Sequence, residues 1–563
     1  MDQQQNTILI YTLFYRTNEL PSKNLDLLKG LNRDNVLRFL IAMRTAVARH
    51  KGPSIKQLFI QRFIKNLPAN TQKRVLTFLT QENYAYFLTV PLIIMQLITE
   101  VLSQAPEQEI QERNVESYFA LAMLDVIMIY NDHHFKVLNI GKRTDSHELI
   151  WQMMLMQEIN GDNAASFVRS GIIKQVIFLE FLKSELGTKY RSFEAAVSVA
   201  LGAASIAAYP MLFVALQLVQ DRQSTAPVPL VPITKQDEVY DIIHNAGLVL
   251  DTTQQLKIDQ GGILMHPFLK LSDGVMYLVG TLDFGLITDK GWIFYLYNQG
   301  KLSTFFPKIS SLNALYSFIG LNYTEKYLMG KVFKSMHRTG FRVLLSDDQQ
   351  TPDVTIISNE TDVFVIEIKS VSLNYKVWQN QELDKFKQHL DSEYVKEKKG
   401  VIQLHKCISH LCNEPDSLFG IRTSLNKINL FPIIVYTEPH LNIVGVNDYV
   451  IEHSPAIPTD LVTSFNFISP VTMIHYDFFI ENLAIIQKQK GLLKEAVLHY
   501  HRSMKKRRQN HEKVNSTVNY LKAMAPFDDF IAGYRGFYQA DKVAIAKELN
   551  KIFNSEPSDK PTI

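Results

Sequence analysis

Three prolines lie within the eleven residues from Ser224 to Thr234, and they limit how this chain can fold. Proline fixes φ and lacks an amide N–H, so such a segment suits an extended connector better than a helix. With 563 residues, the chain is also longer than one hydrophobic core usually accommodates. We therefore predict a multidomain protein with a proline-rich linker at residues 223–235.

The residues before this linker follow a helical pattern. Apolar side chains recur three and four positions apart in residues 36–43 and 60–67, as they do on the buried face of an amphipathic helix. We therefore predict an all-helical domain at residues 1–222. The uncharged run 196–219 is long enough to span a bilayer, but its many small residues and its Tyr209-Pro210 step favour a buried helix. No membrane contact is expected.

Charge and cysteine content narrow the functional classes. The chain has 59 basic and 56 acidic residues and a formal net charge of +3, so any attraction to nucleic acid must come from a local site. Two cysteines cannot form a disulfide framework, and the first residues lack the basic start and the cleavage site of a signal peptide. A cytoplasmic location is therefore expected.

Strand-like segments begin after the linker. The β-prone residues 263–270 and 275–281 flank Ser272-Asp273-Gly274, a sequence typical of a hairpin turn. This pattern predicts a small mixed α/β module at residues 236–315.

The rest of the chain divides into three further segments. Residues 316–460 read as a helix, three strands, a helical insert, a helix and a strand, and this alternation is typical of an α/β sheet. A helical C-terminal region is predicted at residues 461–554. Residues 555–563 are too polar and proline-rich to pack, so we predict a disordered tail.

One hairpin of the α/β segment carries a group of charged residues. Residues 351–369, TPDVTIISNETDVFVIEIK, contain two strand-like runs joined by a turn. Asp353 opens the first strand, while Glu367 and Lys369 lie two residues apart on the second, so strand alternation directs both of those side chains to one face. Neighbouring carboxylates repel each other unless a cation lies between them. Mg²⁺ prefers such oxygen ligands and can activate water for attack on a phosphodiester.

These residues resemble the motif of the PD-(D/E)xK nuclease superfamily, which includes restriction endonucleases, junction resolvases and repair exonucleases. The match consists of Pro352-Asp353 and, after thirteen intervening residues, Glu367-Ile368-Lys369. The resemblance implies a restriction-endonuclease-like core with the element order αβββαβ. The predicted elements occur in that order at residues 322–338, 341–345, 354–357, 363–368, 400–411 and 431–436.

The resemblance also assigns roles to single residues. Glu325 occurs where many members carry a glutamate of the metal site on the first helix, and Gln403 occurs where they carry a supporting glutamine on the second. The insert of residues 370–399 separates Gln403 from the hairpin. The implied catalytic residues are Asp353, Glu367, Lys369, Glu325 and Gln403. The implied metal ligands are Asp353, Glu367, Ile368 and Glu325.

The function implied by the resemblance is hydrolysis of phosphodiester bonds by a nuclease with Mg²⁺, or Mn²⁺ in its place. DNA is the expected substrate, in defence against foreign DNA or in repair, and the helical domain is expected to bind a protein partner or a second copy of the chain. The alternative is a non-catalytic scaffold that uses a nuclease-like fold only to bind nucleic acid or protein. Clustered carboxylates facing a polyanion have no use in a pure binding surface, which favours the nuclease.

Two further segments are rich in residue types that bind metals or phosphates in other proteins. Residues 405–412, HKCISHLC, do not suit a zinc site, because helical geometry spreads the four side chains around the helix. Residues 501–513, HRSMKKRRQNHEK, contain six lysines and arginines. They either contact phosphates or form a solvated helix face, and the sequence leaves both interpretations open.

Overall fold

The structure is a computed structural model in which helices and strands are mixed, as predicted. It divides into two units, residues 1–172 with 191–301, and residues 173–190 with 302–563. The residues it describes are 7–8, 10–23, 25–48, 59, 61–79, 86–87, 89–104, 116–137, 164–223, 230, 232–280, 287–337, 339–346, 348, 350–374, 377, 382–396, 399–514 and 523–538.

Most of the first unit is helical, as the apolar spacing predicts. In Arg33–Ala48, for example, Leu37, Leu40 and Ile41 are completely buried. The helices are Tyr11–Tyr15, Arg33–Ala48, Ala69–Leu79, Pro91–Ser103, Glu116–Val137, Ala164–Leu186, Tyr190–Leu201, Ala208–Gln223, Val239–Asn245, Gln260–Met265 and Trp292–Asn298.

The prediction of an all-helical domain at residues 1–222 is wrong in one respect. Thr7–Ile8 and Tyr86–Phe87 pair as short parallel strands. Strands of two residues are too short to leave an alternating pattern in the sequence, so the helical spacing around them dominates.

The uncharged run 196–219 falls on two helices, Tyr190–Leu201 and Ala208–Gln223, with turns between them. In the described part of the chain, no helix has both the length and the apolar character that crossing a membrane requires.

A four-stranded sheet completes the first unit. The predicted turn at Ser272-Asp273-Gly274 is confirmed, because the strands on its two sides pair antiparallel and Gly274 has a φ of +79°. That left-handed conformation favours glycine. The strands lie in the order Pro232–Ile233, Met276–Leu278, Phe268–Lys270 and Val249–Asp251.

Two predictions around this sheet need correction. Residues 263–265, predicted as strand, belong to the helix Gln260–Met265, because the Asp259 side chain accepts a hydrogen bond from the Gly262 amide and caps its start. Within the predicted linker, Pro232–Ile233 is an edge strand. Proline content indicates extended backbone but not the strand with which it pairs. Residues 224–229 lie outside the described residues.

The predicted boundaries do not coincide with the two units. Residues 236–301 of the predicted module belong to the first unit, whereas residues 302–315 belong to the second. The helix Ala164–Leu186 also contributes its residues from Ile173 onward to the second unit. A continuous helix gives no break in composition, so the sequence could not show this division.

The second unit is built on a six-stranded mixed sheet. Strands β1, β2 and β3 are antiparallel neighbours, β4 lies parallel beside β3, and β5 and β6 both pair parallel with β4. The predicted hairpin is therefore confirmed. The strands are β1 Arg342–Leu345, β2 Val354–Ser358, β3 Asp362–Lys369, β4 Asn429–Tyr436, β5 Phe467–Ile468 and β6 Thr472–His475.

The helices of the second unit follow the predicted order, and the insert contributes α3 and the π-helical Asp391–Val395. The π-helical Ile319–Met329 joins α1 and α2 where the first helix of the core was predicted. The short helix Lys301–Phe305 begins at the last residue of the first unit. The helices that follow it are α1 Leu312–Phe318, α2 Gly330–His337, α3 Leu383–Leu390, α4 Val401–Asn413, α5 Val446–His453, α6 Thr459–Ser464, α7 Tyr476–Lys488, α8 Leu492–Val514 and α9 Phe527–Ile531.

The helical region predicted at residues 461–554 contains the helices α7, α8 and α9, but the prediction missed the strands β5 and β6 within it. All four residues of β6 are buried beside β4. A parallel partner is distant in sequence, and a run of four residues is too short to distinguish a buried strand from a helix. Residues 539–554 and the predicted tail 555–563 lie outside the described residues.

Candidate active site

Two carboxylates face each other where β2 begins and β3 ends. Val354 pairs with Ile366 across these antiparallel strands, so Asp353 lies opposite Glu367 one position further on. Side chains in such positions on one face have Cβ atoms about 5 Å apart. The Ile368 amide donates a 2.7 Å hydrogen bond to Asp353 Oδ2, which fixes the aspartate at this edge of the sheet.

Glu367 is a buried carboxylate whose hydrogen bonding is incomplete. Its side chain is 2% exposed, and Oε1 accepts a 2.8 Å hydrogen bond from Lys369 Nζ. Oε2 is buried and accepts no hydrogen bond from any described residue. Burial, and then repulsion by Asp353, raises the pKa of Glu367 to about 8 despite the lysine. A positive charge next to Oε2 would therefore stabilise the ionised carboxylate.

Lys369 connects the strand to the helix α4. Its Nζ donates to Glu367 Oε1 and, at 3.0 Å, to Gln403 Oε1. Gln403 lies in the first turn of α4, which Gly400 allows to begin there. Gly400 has a φ of +53°, and a Cβ at this position would lie 2.3 Å from the Tyr394 carbonyl oxygen. The structure thus brings Gln403 to the site in spite of the long insert.

Glu325 lies in the π-helical segment at the margin of the site. Its pKa is raised by burial and by the charge of Asp353, and the Ser370 hydroxyl donates a hydrogen bond to its Oε1. A Cβ at Gly320 would lie 2.8 Å from Ser370 Oγ, so this glycine lets the helix approach the end of β3. Ser370 was missed in the sequence, although it directly follows Lys369.

Cys407 is the second residue of the site that sequence reasoning missed. It lies one helical turn beyond Gln403 on α4 and is completely buried. Burial and the negative charges of Glu367 and Asp353 raise its pKa to about 12. The thiol is therefore neutral at physiological pH and forms an uncharged wall beside the carboxylates.

The insert is attached beside the site by another buried acid, Glu438, which follows β4. Its Oε2 accepts a 3.0 Å hydrogen bond from the Leu373 amide, and its Oε1 is hydrogen-bonded to the His440 ring. Lys369 itself is tied to the same segment, because its carbonyl oxygen accepts a hydrogen bond from the Thr437 amide. The segment that follows β4 thereby holds both the end of β3 and the start of the insert.

All five side chains expected at the site are thus close to one edge of the sheet. Comparisons with family models, curated proteins and solved structures found no match for this chain. The geometry of the site is therefore the basis for any functional argument.

The donor set suits a hard divalent cation that keeps part of its water. Asp353 and Glu367 offer carboxylate oxygens, one of which has no partner among the described residues. Ile368 offers its main-chain carbonyl, because the N–H and C=O of one strand residue point the same way and its N–H reaches Asp353. The described residues contain no group of three His, Cys, Asp or Glu side chains with metal-ligand spacing. Mg²⁺ commonly uses one or two carboxylates and several waters, so this set fits it.

Proposed function

We propose that the second unit is a magnesium-dependent nuclease that hydrolyses phosphodiester bonds in DNA. The observation that carries the proposal is the buried, unpartnered Oε2 of Glu367, which lies opposite Asp353 and next to Lys369. Leaving a carboxylate oxygen buried without a partner is costly, unless a cation completes the site. Mn²⁺ has similar geometry and is expected to substitute.

Each residue has a distinct role in this proposal. Asp353, Glu367 and the Ile368 carbonyl would hold Mg²⁺, which lowers the pKa of bound water and offsets charge on the phosphate. Lys369 points its ammonium into the same space, where it orients the attacking water or stabilises negative charge that develops on the phosphate. Gln403 would hold Lys369 in that position. Glu325, whose pKa is raised by burial and by the charge of Asp353, would be a further ligand of the ion.

The order of helices and strands supports a restriction-endonuclease-like core in the second unit. Helix, three antiparallel strands, helix and parallel strand follow one another from Ile319 to Tyr436, and the acids lie at the end of the central hairpin. We propose on this basis that these residues form a restriction-endonuclease-like core, with β5, β6 and the helices α5 to α9 added to it.

A non-catalytic scaffold is the competing proposal, and one contact favours it. Lys369 already pairs with Glu367 and Gln403, so part of the site is satisfied without any metal. A scaffold would bind DNA or a protein equally well with and without Mg²⁺. Cleavage therefore decides between the two.

The experiment is a cleavage assay with the full chain on supercoiled, linear and single-stranded DNA and on RNA. We expect products from DNA with Mg²⁺ or Mn²⁺, none with chelator, and binding with little turnover in Ca²⁺, which is larger and less demanding in geometry. Asp353→Ala should remove cleavage. Cleavage that persists in chelator, or DNA that stays intact under every metal condition, would contradict the nuclease proposal.

A further inference from the structure

A stripe of cations follows one side of α8. Arg502, Lys505 and Lys506 are spaced at i, i+3 and i+4, and the neutral Gln509 follows at i+7, which places all four on a single face of a helix. All four are exposed. None of the ion pairs among the described residues includes Arg502, Lys505 or Lys506. We refer to these three residues as the basic stripe.

Residues 501–513 contain two other arginines, Arg507 and Arg508. Both contact other parts of the second unit, and these contacts fix the orientation of the basic stripe. Arg507 lies over the Phe530 ring, with 4.9 Å from its guanidinium carbon to the ring centroid. Arg508 forms an ion pair with Asp448, whose side chain is 2% exposed. Met504 is buried on the same inner side. The division between inward arginines and outward cations shows that α8 presents one defined basic face.

The course of α8 brings the stripe toward the edge of the sheet that holds the acids. Near its start, Lys494 contacts Asp362 at the beginning of β3, and further along, His501 is hydrogen-bonded to Thr472 at the beginning of β6. Arg508 reaches α5, which follows the end of β4. The helix therefore runs from the amino ends of these parallel strands toward their carboxyl ends, where Glu367 lies.

The stripe and the acids approach that edge from opposite faces of the sheet. Asp362 is five positions before Glu367 on β3, so the two side chains point to opposite faces, and α8 packs on the face of Asp362. The stripe lies on the outer side of α8, and a helix with its side chains is about 10 to 12 Å across, whereas one turn of duplex DNA measures about 34 Å. A duplex at this edge is long enough to reach both the acids and the stripe.

We propose that Arg502, Lys505 and Lys506 bind the phosphate backbone of double-stranded DNA beside the bond that is cleaved. This inference rests on the proposed nuclease function. Because the whole chain carries a net charge of only +3, a local cationic surface is needed to attract a polyanion. The helix dipole favours cations in the last turn of α8, but Arg502 lies twelve residues before its end at Val514, where that effect has vanished. Phosphate contacts add affinity without choosing a sequence.

The test compares two triple variants of the full chain. Arg502→Gln, Lys505→Gln and Lys506→Gln together remove the stripe, and glutamine preserves helix propensity. The matched control removes three charges at the opposite edge of the sheet, through Lys427→Gln, Lys488→Gln and Lys490→Gln. These three lysines are exposed and flank the amino ends of β3 and β4. Circular dichroism verifies that both variants fold.

Binding to a short duplex is measured in Ca²⁺ at several salt concentrations. Each phosphate contact contributes about 0.9 to the slope of log K against log salt, so the stripe variant should lose about 2 to 3 from the parental slope. The control should keep that slope. An unchanged slope in the stripe variant, an equal loss in the control, or binding to phosphatidylserine vesicles in place of DNA would overturn the proposal. Because binding is measured without turnover, a reduced slope in a protein that never cleaves would refute the nuclease and leave the stripe intact.

Discussion

Replacing Glu367 with glutamine should stabilise the metal-free protein while removing the proposed metal site. The carboxylate is 2% exposed and lies opposite a second acid, so its ionisation opposes folding when no cation is bound. Glutamine keeps the side-chain shape and an oxygen that can accept the hydrogen bond from Lys369, but it carries no negative charge. A residue of the proposed metal site would then lower the stability of the metal-free protein.

The size of this effect follows from the pKa of Glu367, which rises from 4.5 to about 8 on folding. Below about pH 4.5, Glu367 is protonated in both the folded and the unfolded protein, so its ionisation has no effect on the free energy of unfolding. Between the two values the penalty on the folded state grows by about 1.4 kcal/mol per pH unit, and above the upper value it is constant. Glu367→Gln should therefore gain up to about 3 kcal/mol at pH 7, less what Lys369 loses with its partner, and almost nothing at about pH 4.5.

Urea denaturation in chelator, measured between about pH 5 and pH 8, gives the stability difference. Hydrogen exchange of the β2 and β3 amides assigns that difference to the second unit. The matched control is Glu360→Gln, an exposed glutamate in the turn of the same hairpin, which should show no pH-dependent gain. A lower stability of Glu367→Gln than of the parent at pH 8, or an equal gain in stability at pH 5 and pH 8, would refute the proposal that ionisation of Glu367 opposes folding.

Three further predictions concern the site. In calorimetry, Lys369→Ala should bind Mg²⁺ at least as well as the parent, yet its rate of single-turnover cleavage should fall by about 10²- to 10³-fold. Lys369→Arg should not restore that rate. Cleavage by Lys369→Ala at the parental rate would show that the lysine has no role in catalysis. Because Glu367 must lose its proton to bind a cation, Mg²⁺ affinity should rise about tenfold per pH unit up to about pH 8, and a pH-independent affinity would contradict this. Ser370→Ala should release Glu325 and lower cleavage by about 2- to 10-fold, with a similar effect from Gly320→Ala, which displaces the same hydroxyl; unchanged rates in both would separate Glu325 from the site.

The local part of the site could be predicted from the sequence because it depends on short-range geometry. The alternation of a strand places Glu367 and Lys369 on one face, and a hairpin brings Asp353 opposite them. Helical spacing likewise predicts α4. These features need only the neighbouring residues to be known, whereas the place of Gln403 at the site was implied by the resemblance and depends on how α4 packs on β3.

Other features depend on contacts between distant residues, which a single sequence does not reveal. The pairing of β6 with β4 joins Thr472 to Ile433, and four buried residues carry too little pattern to predict it. The burial of Cys407 against the carboxylates requires α4 to pack on β3 at one register. Ser370 becomes part of the site only because Gly320 allows a π-helical segment to approach it.

The variant Asp353→Asn tests whether Asp353 and Glu367 form the metal-dependent catalytic centre that we propose. Asparagine retains an oxygen for the hydrogen bond from the Ile368 amide, so the local fold should persist. Single-turnover cleavage of DNA in Mg²⁺ should fall by at least about 10³-fold relative to the parent, while DNA binding in Ca²⁺ changes little. Cleavage by the folded variant at the parental rate would show that Asp353 does not belong to a catalytic centre.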